Sequence, residues 1–283
     1  MSPLTPLSHH SGERGFDPRR VETCKEVDVR TNSLKRKLLA HQRLCGVLAE
    51  FHNPEMVELF GHLGYDFVFL DGQHCGLNVE VARSLIRAAD VTGMTSLVRV
   101  PRNDASVILE YLDAGAGGII VPNITTRAEA EAAVAAMRYP PVGLRGGFGR
   151  SRAANYGITQ TQVEYFTKIN DEVLCVPLIE DQSALAHASA ICSTPGVDVV
   201  SIGPGDLSLS MGIPGGMKDP RVQAAVEQIR AAAAAAGRPA MIIVSDPADG
   251  RALYAQGFQL LLVSATNLLA NSARGFLKEL GRT

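Results

Sequence analysis

The sequence predicts a single (β/α)8 TIM barrel of parallel strands. From residue 44 onward, short apolar runs rich in β-forming residues alternate with helical patterns, and parallel strands require such crossovers. Eight of these runs are present, at residues 45–49, 67–71, 96–100, 118–122, 174–180, 197–202, 240–244 and 260–263. A closed barrel of eight strands typically takes about 250 residues, which a chain of 283 residues accommodates as one domain.

Helix-start signals lie between the runs. Asparagine and threonine are good N-cap residues, and we predict helix starts at Asn53, Asn78, Asn103 and Thr125 or Thr126. The Ala-rich residues 222–236, ended by Gly237, predict a helix, and Asp246 and Asn267 are predicted to cap the last two helices. Residues 138–171 begin with a stretch too rich in Pro and Gly for a regular element, which indicates a functional loop.

Composition and charge limit the possible domain organisation, partners and cellular location. Residues 1–31 are rich in Pro, Ser, His and Arg and predict a flexible extension, so residues 32–283 form the predicted barrel domain. A net charge of -2 gives no reason to expect nucleic acid or an acidic membrane surface as partner, and no run is long enough to span a bilayer. The five cysteines include no CxxC pair, which favours a reducing compartment, the cytoplasm. A small-molecule partner is therefore expected.

The active site of such a barrel lies at the carboxyl ends of its strands. This rule gives a set of polar candidates: Glu50, Asp71, Gln73, His74, Arg99, Asn123, Glu180, Asp181, Asp206, Ser245, Asp246 and Ser264.

Two of these carboxylates follow neighbouring strands. Glu180 ends the fifth run and Asp206 follows the sixth, so their side chains could converge. Two hard oxygen ligands suit Mg²⁺ or Mn²⁺, which then keeps positions for water and substrate. The alternative is that Asp206 caps a helix beginning at Leu207 and that Glu180 forms a salt bridge.

Arg99 and His74 complete the predicted chemistry. Arg99 ends an apolar strand, where its planar fork could bind a substrate carboxylate or, alternatively, form an ion pair with Asp71. His74 lies in a glycine-bounded turn and could exchange protons, although a loop histidine is often structural. A metal beside an arginine suits a 2-oxo acid and a metal-stabilised enolate. Because no lysine ends a predicted strand, a Schiff-base aldolase is disfavoured.

The ordered motifs resemble those of the HpcH/HpaI aldolase family, to which macrophomate synthase is related. They are LDGQH at residues 70–74, VRVP at 98–101, YPPVGLRG at 139–146, IE at 179–180 and IGPGDLS at 202–208. The resemblance covers roughly residues 44–280 and implies a class II pyruvate aldolase on a (β/α)8 barrel.

The resemblance also implies residue roles. Glu180 and Asp206 would bind a divalent metal ion (Mg²⁺, Mn²⁺ or Co²⁺), and Arg99 would contact the pyruvyl group. His74 would serve acid–base chemistry, assisted by Asp113 of a neighbouring subunit, with Asp71 as an organising partner. Gln73 and Gly205 fall in these motifs and Pro122 ends the fourth strand run, and all three are expected at the substrate. Members of the family form homo-oligomers, commonly hexamers or trimers, with an exchanged C-terminal helix.

The expected reaction is aldol cleavage of a 4-hydroxy-2-oxo acid to pyruvate and an aldehyde, or its reverse. Decarboxylation of oxaloacetate through the same pyruvate enolate, as in a macrophomate synthase-like enzyme, stays open. So does a non-catalytic protein that binds a 2-oxo acid.

Overall fold

The computed structural model describes residues 30–282 and shows a closed barrel of eight parallel strands in chain order. The predicted fold class is thereby confirmed. The strands are β1 (Leu44–Ala49), β2 (Phe67–Asp71), β3 (Thr95–Arg99), β4 (Gly118–Val121), β5 (Leu174–Ile179), β6 (Val200–Ile202), β7 (Ala240–Val244) and β8 (Leu260–Ser264). Each strand pairs with its sequence neighbours, and β8 closes the barrel onto β1. The predicted N-terminal extension, residues 1–31, lies outside the described residues except for Arg30 and Thr31.

Helices surround this barrel. They are α1 (Ser33–Leu39), α2 (Pro54–His62), α3 (Val79–Val91), α4 (Ala105–Ala114), α5 (Arg127–Met137), α6 (Gln162–Glu172), α7 (Ala188–Cys192), α8 (Pro204–Ser210), α9 (Pro220–Ala235), α10 (Pro247–Ala255) and α11 (Ala265–Glu279). Two 3-10 helices, Arg152–Gly157 and Gln182–His187, lie in the connections. No helix among the described residues is long and apolar enough to cross a membrane.

Capping explains where the helices begin, and it corrects three of the predictions. Asp104 rather than Asn103 caps α4, because its carboxylate accepts the amides of Ser106 and Val107. Ser264 rather than Asn267 caps α11 and accepts the Asn267 amide. The irregular stretch predicted over residues 138–171 contains helix α6, whose start is fixed by a reciprocal capping box between Thr161 and Glu164.

The core has two layers, one inside the barrel and one between strands and helices. Alternate strand residues, including Phe67, Leu97 and Leu174, fill the interior, and Leu34 and Leu38 of α1 pack onto this cluster. The outer layer joins the other strand faces to the apolar faces of the surrounding helices. Because both faces of the strands are buried, each strand is a nearly continuous apolar run, and the polar residues concentrate at the strand ends.

Candidate active site

Asp71 and Arg99 form an ion pair at the carboxyl-end face of the barrel. They are direct neighbours in the register of β2 and β3. Arg99 Nε donates to Asp71 Oδ1 at 2.9 Å, and Arg99 Nη2 donates to Asp71 Oδ2 at 2.6 Å. The Arg99 guanidinium also lies 5.3 Å from the centre of the Phe69 ring. The ion pair considered as the alternative for Arg99 is therefore present, and it fixes the plane of the guanidinium.

Asp71 organises the turn that follows β2. Its carboxylate accepts the backbone amides of Gln73 and His74 at 2.9 and 3.3 Å, and the Cys75 thiol donates to it at 3.6 Å. Burial opposes ionisation, but the hydrogen bond and charge of Arg99, together with the two amides, lower the pKa of Asp71 below its ordinary value. Asp71 is therefore a buried anion that holds Arg99 and shapes the turn.

This turn presents His74 and Gln73 at the carboxyl-end face. Gly72 makes it possible, because its amide donates to the Arg99 carbonyl at 2.8 Å and a Cβ there would meet that oxygen at 2.7 Å. His74 is exposed, so its ring is accessible. The Gln73 Oε1 atom is buried without a hydrogen-bond partner. A buried polar atom without a partner is unusual and indicates a position at which a ligand can bind.

Glu180 and Asp206 come together at the ends of neighbouring strands. Glu180 follows β5 and is 3% exposed, while Asp206 lies in the first turn of α8, just after β6. The Asp206 carboxylate lies close enough to Glu180 to act on its pKa. Burial raises the pKa of Glu180 to about 7; the Asn123 amide opposes this shift, and the charge of Asp206 adds to it. The two carboxylates thus repel one another where no cation separates them.

Gly203 allows this approach. A Cβ at Gly203 would lie 2.8 Å from Glu180 Cβ and 2.9 Å from Glu180 Oε2. The Gly203 amide also donates to the Ile179 carbonyl at 3.1 Å, which joins the ends of β5 and β6. The alternative role for Asp206 is wrong, because α8 already begins at Pro204 and Gly203 occupies its N-cap position without a side-chain cap.

The donor set fits a hard divalent cation. In the described chain, neither Glu180 nor Asp206 has an arginine or lysine within salt-bridge distance. No cluster of three or more His, Cys, Asp or Glu side chains suited to a metal occurs among residues 30–282, so two carboxylates are the protein ligands available here. Two carboxylates suffice for Mg²⁺, which usually retains water and substrate oxygens.

Several strand-end candidates instead stabilise local structure. Glu50 binds the Ser264 hydroxyl and the Thr266 amide, and so supports the start of α11. Asp181 accepts the amide and hydroxyl of Ser183, while Asp246 caps α10, with Ser245 beside it. Asp181 and Asp246 each follow a strand and cap the next helix, a role for which sequence alone gives the same signal as for a site residue.

Asn123, Pro122 and Gly205 border the two carboxylates. The Asn123 amide donates to Glu180 Oε1 at 3.0 Å from a left-handed backbone conformation of φ 54°. Pro122 is buried, and with Asn123 and Arg102 it lines a cavity of about 220 Å³ between the loops after β3 and β4. Gly205 has open space around its Cβ position. Asn123 and Gly205 thus adjoin the two carboxylates, and Pro122 adjoins Asn123.

Asp113 does not reach this site within one chain. It lies near the C-terminal end of α4, which is at the opposite end of the barrel, and accepts from Arg145 Nη2 at 2.8 Å. A role in catalysis would require that it enter the site of a second copy.

One polar residue at the carboxyl-end face was not predicted to take part. His52 lies between β1 and α2, and its Nε2 atom is buried without a hydrogen-bond partner. The sequence analysis stopped at Glu50, whereas the loop after a strand extends the site as much as the strand end does.

A model of the HpcH/HpaI aldolase/citrate lyase family matches residues 45–269. The chain belongs to this family. It is 36% identical over 247 residues to the hydroxypyruvate/pyruvate aldolase of Sagittula stellata, covering 87% of this chain and 96% of the relative. It is also 34% identical over 253 residues to the 5-keto-4-deoxy-D-glucarate aldolase of Shigella dysenteriae, covering 87% and 98%. The chain is therefore an enzyme, an aldolase of this family and a lyase that acts on small molecules.

Solved structures agree with the barrel. A crystal structure of an HpcH/HpaI aldolase/citrate lyase family protein from Burkholderia cenocepacia matches with a TM-score of 0.84 and 32% identity, over 88% of this chain and 99% of that chain. Macrophomate synthase matches with a TM-score of 0.76 and 24% identity, over 89% and 92%, and shares the fold. The resemblance to the HpcH/HpaI aldolase family drawn from the motifs is thereby confirmed, and macrophomate synthase is among the structures that share the barrel.

Proposed function

We propose that the chain is a divalent-metal-dependent aldolase that cleaves a 4-hydroxy-2-oxo acid to pyruvate and an aldehyde, or forms it in reverse. The observation that carries this proposal is the convergence of Glu180 and Asp206 beside the Asp71–Arg99 ion pair. A bound divalent ion would act as a Lewis acid that polarises the keto oxygen of the oxo acid. Mg²⁺, Mn²⁺ and Co²⁺ all suit the two carboxylates.

The protein groups would divide the remaining work. Arg99 uses two of its five N–H groups on Asp71, so three remain to bind the carboxylate of the oxo acid. His74 is exposed beside this pair, where an imidazole can take the proton of the 4-hydroxyl group during cleavage and return it during addition. Gln73, Pro122 and Gly205 would border the substrate.

Chelation tests the proposal directly. We expect EDTA to abolish aldol cleavage, measured as pyruvate release, and Mn²⁺, Mg²⁺ or Co²⁺ to restore it. Activity that persists after complete removal of metal would contradict the proposal. If chelation left the rate of pyruvate release unchanged, protein groups alone would carry out the proton transfer.

Decarboxylation of oxaloacetate is the second candidate, because the same side chains would hold oxaloacetate and its products in the same orientation. The two activities differ in their need for an aldehyde. Rapid loss of CO₂ from oxaloacetate without any cleavage of 4-hydroxy-2-oxo acids would favour the decarboxylase.

We further propose a homo-oligomer, a hexamer or trimer, in which α11 packs on another subunit. Support comes from its exposed apolar side chains Leu269, Phe276 and Leu280, which contact little of their own barrel. In such an assembly Asp113 could assist His74 of the neighbouring subunit.

The cytoplasm stays the proposed location. Cys45, Cys75, Cys175 and Cys192, the cysteines of the described chain, are all unpaired. Free thiols persist in reducing compartments, which supports this location. Fractionation of the source cells with an antibody to the chain would test it.

A further inference from the structure

A second cavity lies at the amino ends of β3, β4 and β5, opposite the carboxyl-end face. Its volume is about 500 Å³, larger than the cavity beside Asn123. Its walls include apolar side chains of Leu112, Ile169 and Val173, and also Arg145 and Tyr165. We call it the amino-end cavity. The aldolase chemistry proposed above uses none of these residues.

Two buried donors of this cavity have no partner. Arg145 is 4% exposed and Tyr165 is 1% exposed, yet neither Arg145 Nε nor the Tyr165 hydroxyl has a hydrogen-bond partner of good geometry among residues 30–282, although the hydroxyl lies near Arg145 and Tyr139. Burial raises the pKa of Tyr165, so its hydroxyl keeps its proton and can donate. Arg145 Nε is a donor only. Leaving such groups unpaired costs free energy, which a ligand with acceptor oxygens would recover.

The rest of the Arg145 side chain is held in place. Its Nη2 atom donates to Asp113, and its guanidinium lies 4.5 Å from the centre of the Tyr139 ring. The acidic residues of the cavity are also engaged: Asp90 pairs with Arg30 and Arg152, and Glu172 accepts the Asn32 amide at 2.6 Å. Arg145 Nε and the Tyr165 hydroxyl are therefore donors held in position before any ligand arrives.

We propose that the amino-end cavity is a binding site for a small organic carboxylate. The carboxylate oxygens would accept from Arg145 Nε and the Tyr165 hydroxyl, and the apolar body would pack on Leu112, Ile169 and Val173. A charged acceptor is favoured over a neutral one because hydrogen bonds between ionised groups are roughly twice as strong.

Benzoate is a suitable probe. It is titrated into the full 283-residue chain in a buffer that contains EDTA, and binding is measured by calorimetry. Tyr165→Phe removes the hydroxyl and keeps the ring, and we expect it to weaken benzoate binding about tenfold. Ser151→Ala is the control, because its hydroxyl is also buried without a hydrogen-bond partner among the described residues and does not line the cavity. It should bind benzoate as the wild type does. Benzamide, which has the same shape without the charge, should bind about tenfold more weakly than benzoate.

Other outcomes would contradict the proposal of a carboxylate site in the amino-end cavity. Absence of saturable benzoate binding to the wild type means that water alone satisfies these donors. Equal affinity in wild type and Tyr165→Phe places any bound benzoate elsewhere, and equal losses in Tyr165→Phe and Ser151→Ala indicate a packing effect. Arg145→Lys adds an independent check, since it should also weaken binding; unchanged affinity there would refute the role of the guanidinium.

Discussion

At the scale of single residues, the carboxyl-end face contains two carboxylates in opposite electrostatic settings. Asp71 accepts two hydrogen bonds from Arg99 and stays ionised, whereas Glu180 forms no salt bridge among the described residues, and burial raises its pKa to about 7 despite the charge of Arg99. The contrast indicates different tasks. Asp71 positions an arginine, and under the proposed function Glu180 would bind a cation that comes from solution.

The pKa of Glu180 predicts a pH-dependent metal affinity. In the unfolded chain this carboxyl titrates near 4.5, and in the metal-free fold near 7, so its stabilising contribution is full below about pH 4.5 and is lost as the pH rises through 7. A metal needs the ionised form. We therefore expect Mn²⁺ affinity to fall about tenfold per pH unit below 7 and to level off above it. Calorimetric titration with Mn²⁺ from about pH 5.5 to about pH 8.5, a range that brackets the pKa of Glu180, checks this. An Mn²⁺ affinity that does not change with pH would contradict it.

Arg99→Lys should separate the two functions of the arginine. Lysine cannot form both bonds to Asp71 or present a planar fork to a carboxylate. We expect affinity for pyruvate or oxalate to fall by about tenfold or more, with metal affinity nearly unchanged. Arg83→Lys, an exposed residue of α3 away from the strand ends, is the control and should bind normally. Equal oxo acid affinity in Arg99→Lys and wild type would remove Arg99 from substrate binding.

At the scale of elements, two close backbone approaches shape the site. The turn after β2 is bound to β3 through Gly72, and the end of β6 passes Glu180 at Gly203. Neither approach leaves room for a side chain. The strand ends therefore fix the carboxylate positions more tightly than a flexible loop would.

Gly203→Ala tests this close approach. The added methyl group would press on Glu180 and displace its carboxylate, so we expect Mn²⁺ affinity to fall about tenfold or more with the barrel intact by circular dichroism. Gly205→Ala is the matched control for metal affinity, because its Cβ position is open. Similar Mn²⁺ affinities in the two variants would show that Glu180 tolerates the methyl group.

At the scale of the whole molecule, the sequence predicted the barrel well because strand runs and crossovers repeat in order. It located Asp71, Arg99, Glu180 and Asp206 at the correct face through the strand-end rule. It could not separate site carboxylates from caps such as Asp181, because both stand after a strand and before a helix. Nor could it show that Asp113 pairs with Arg145, since these residues meet only through the fold.

The exposed face of α11 predicts assembly. Replacing Phe276 and Leu280 by Asp should leave the barrel folded but reduce the oligomer, measured by light scattering coupled to size-exclusion chromatography. Activity should fall with assembly if Asp113 acts across subunits. Asp substitutions at the exposed Leu39 and Val91, on other helices, are controls. An α11 variant with the wild-type mass would exclude this helix from the interface.

The central claim is that Glu180 and Asp206 together hold the divalent ion. Mn²⁺ binding to the EDTA-treated chain, followed by electron paramagnetic resonance, measures it most directly in wild type, Glu180→Gln, Asp206→Asn and the control Asp181→Asn. We predict one tight Mn²⁺ per wild-type chain, the same in Asp181→Asn, and a loss of affinity of about 100-fold or more in each of the other two variants. Full Mn²⁺ affinity in either Glu180→Gln or Asp206→Asn would contradict the account.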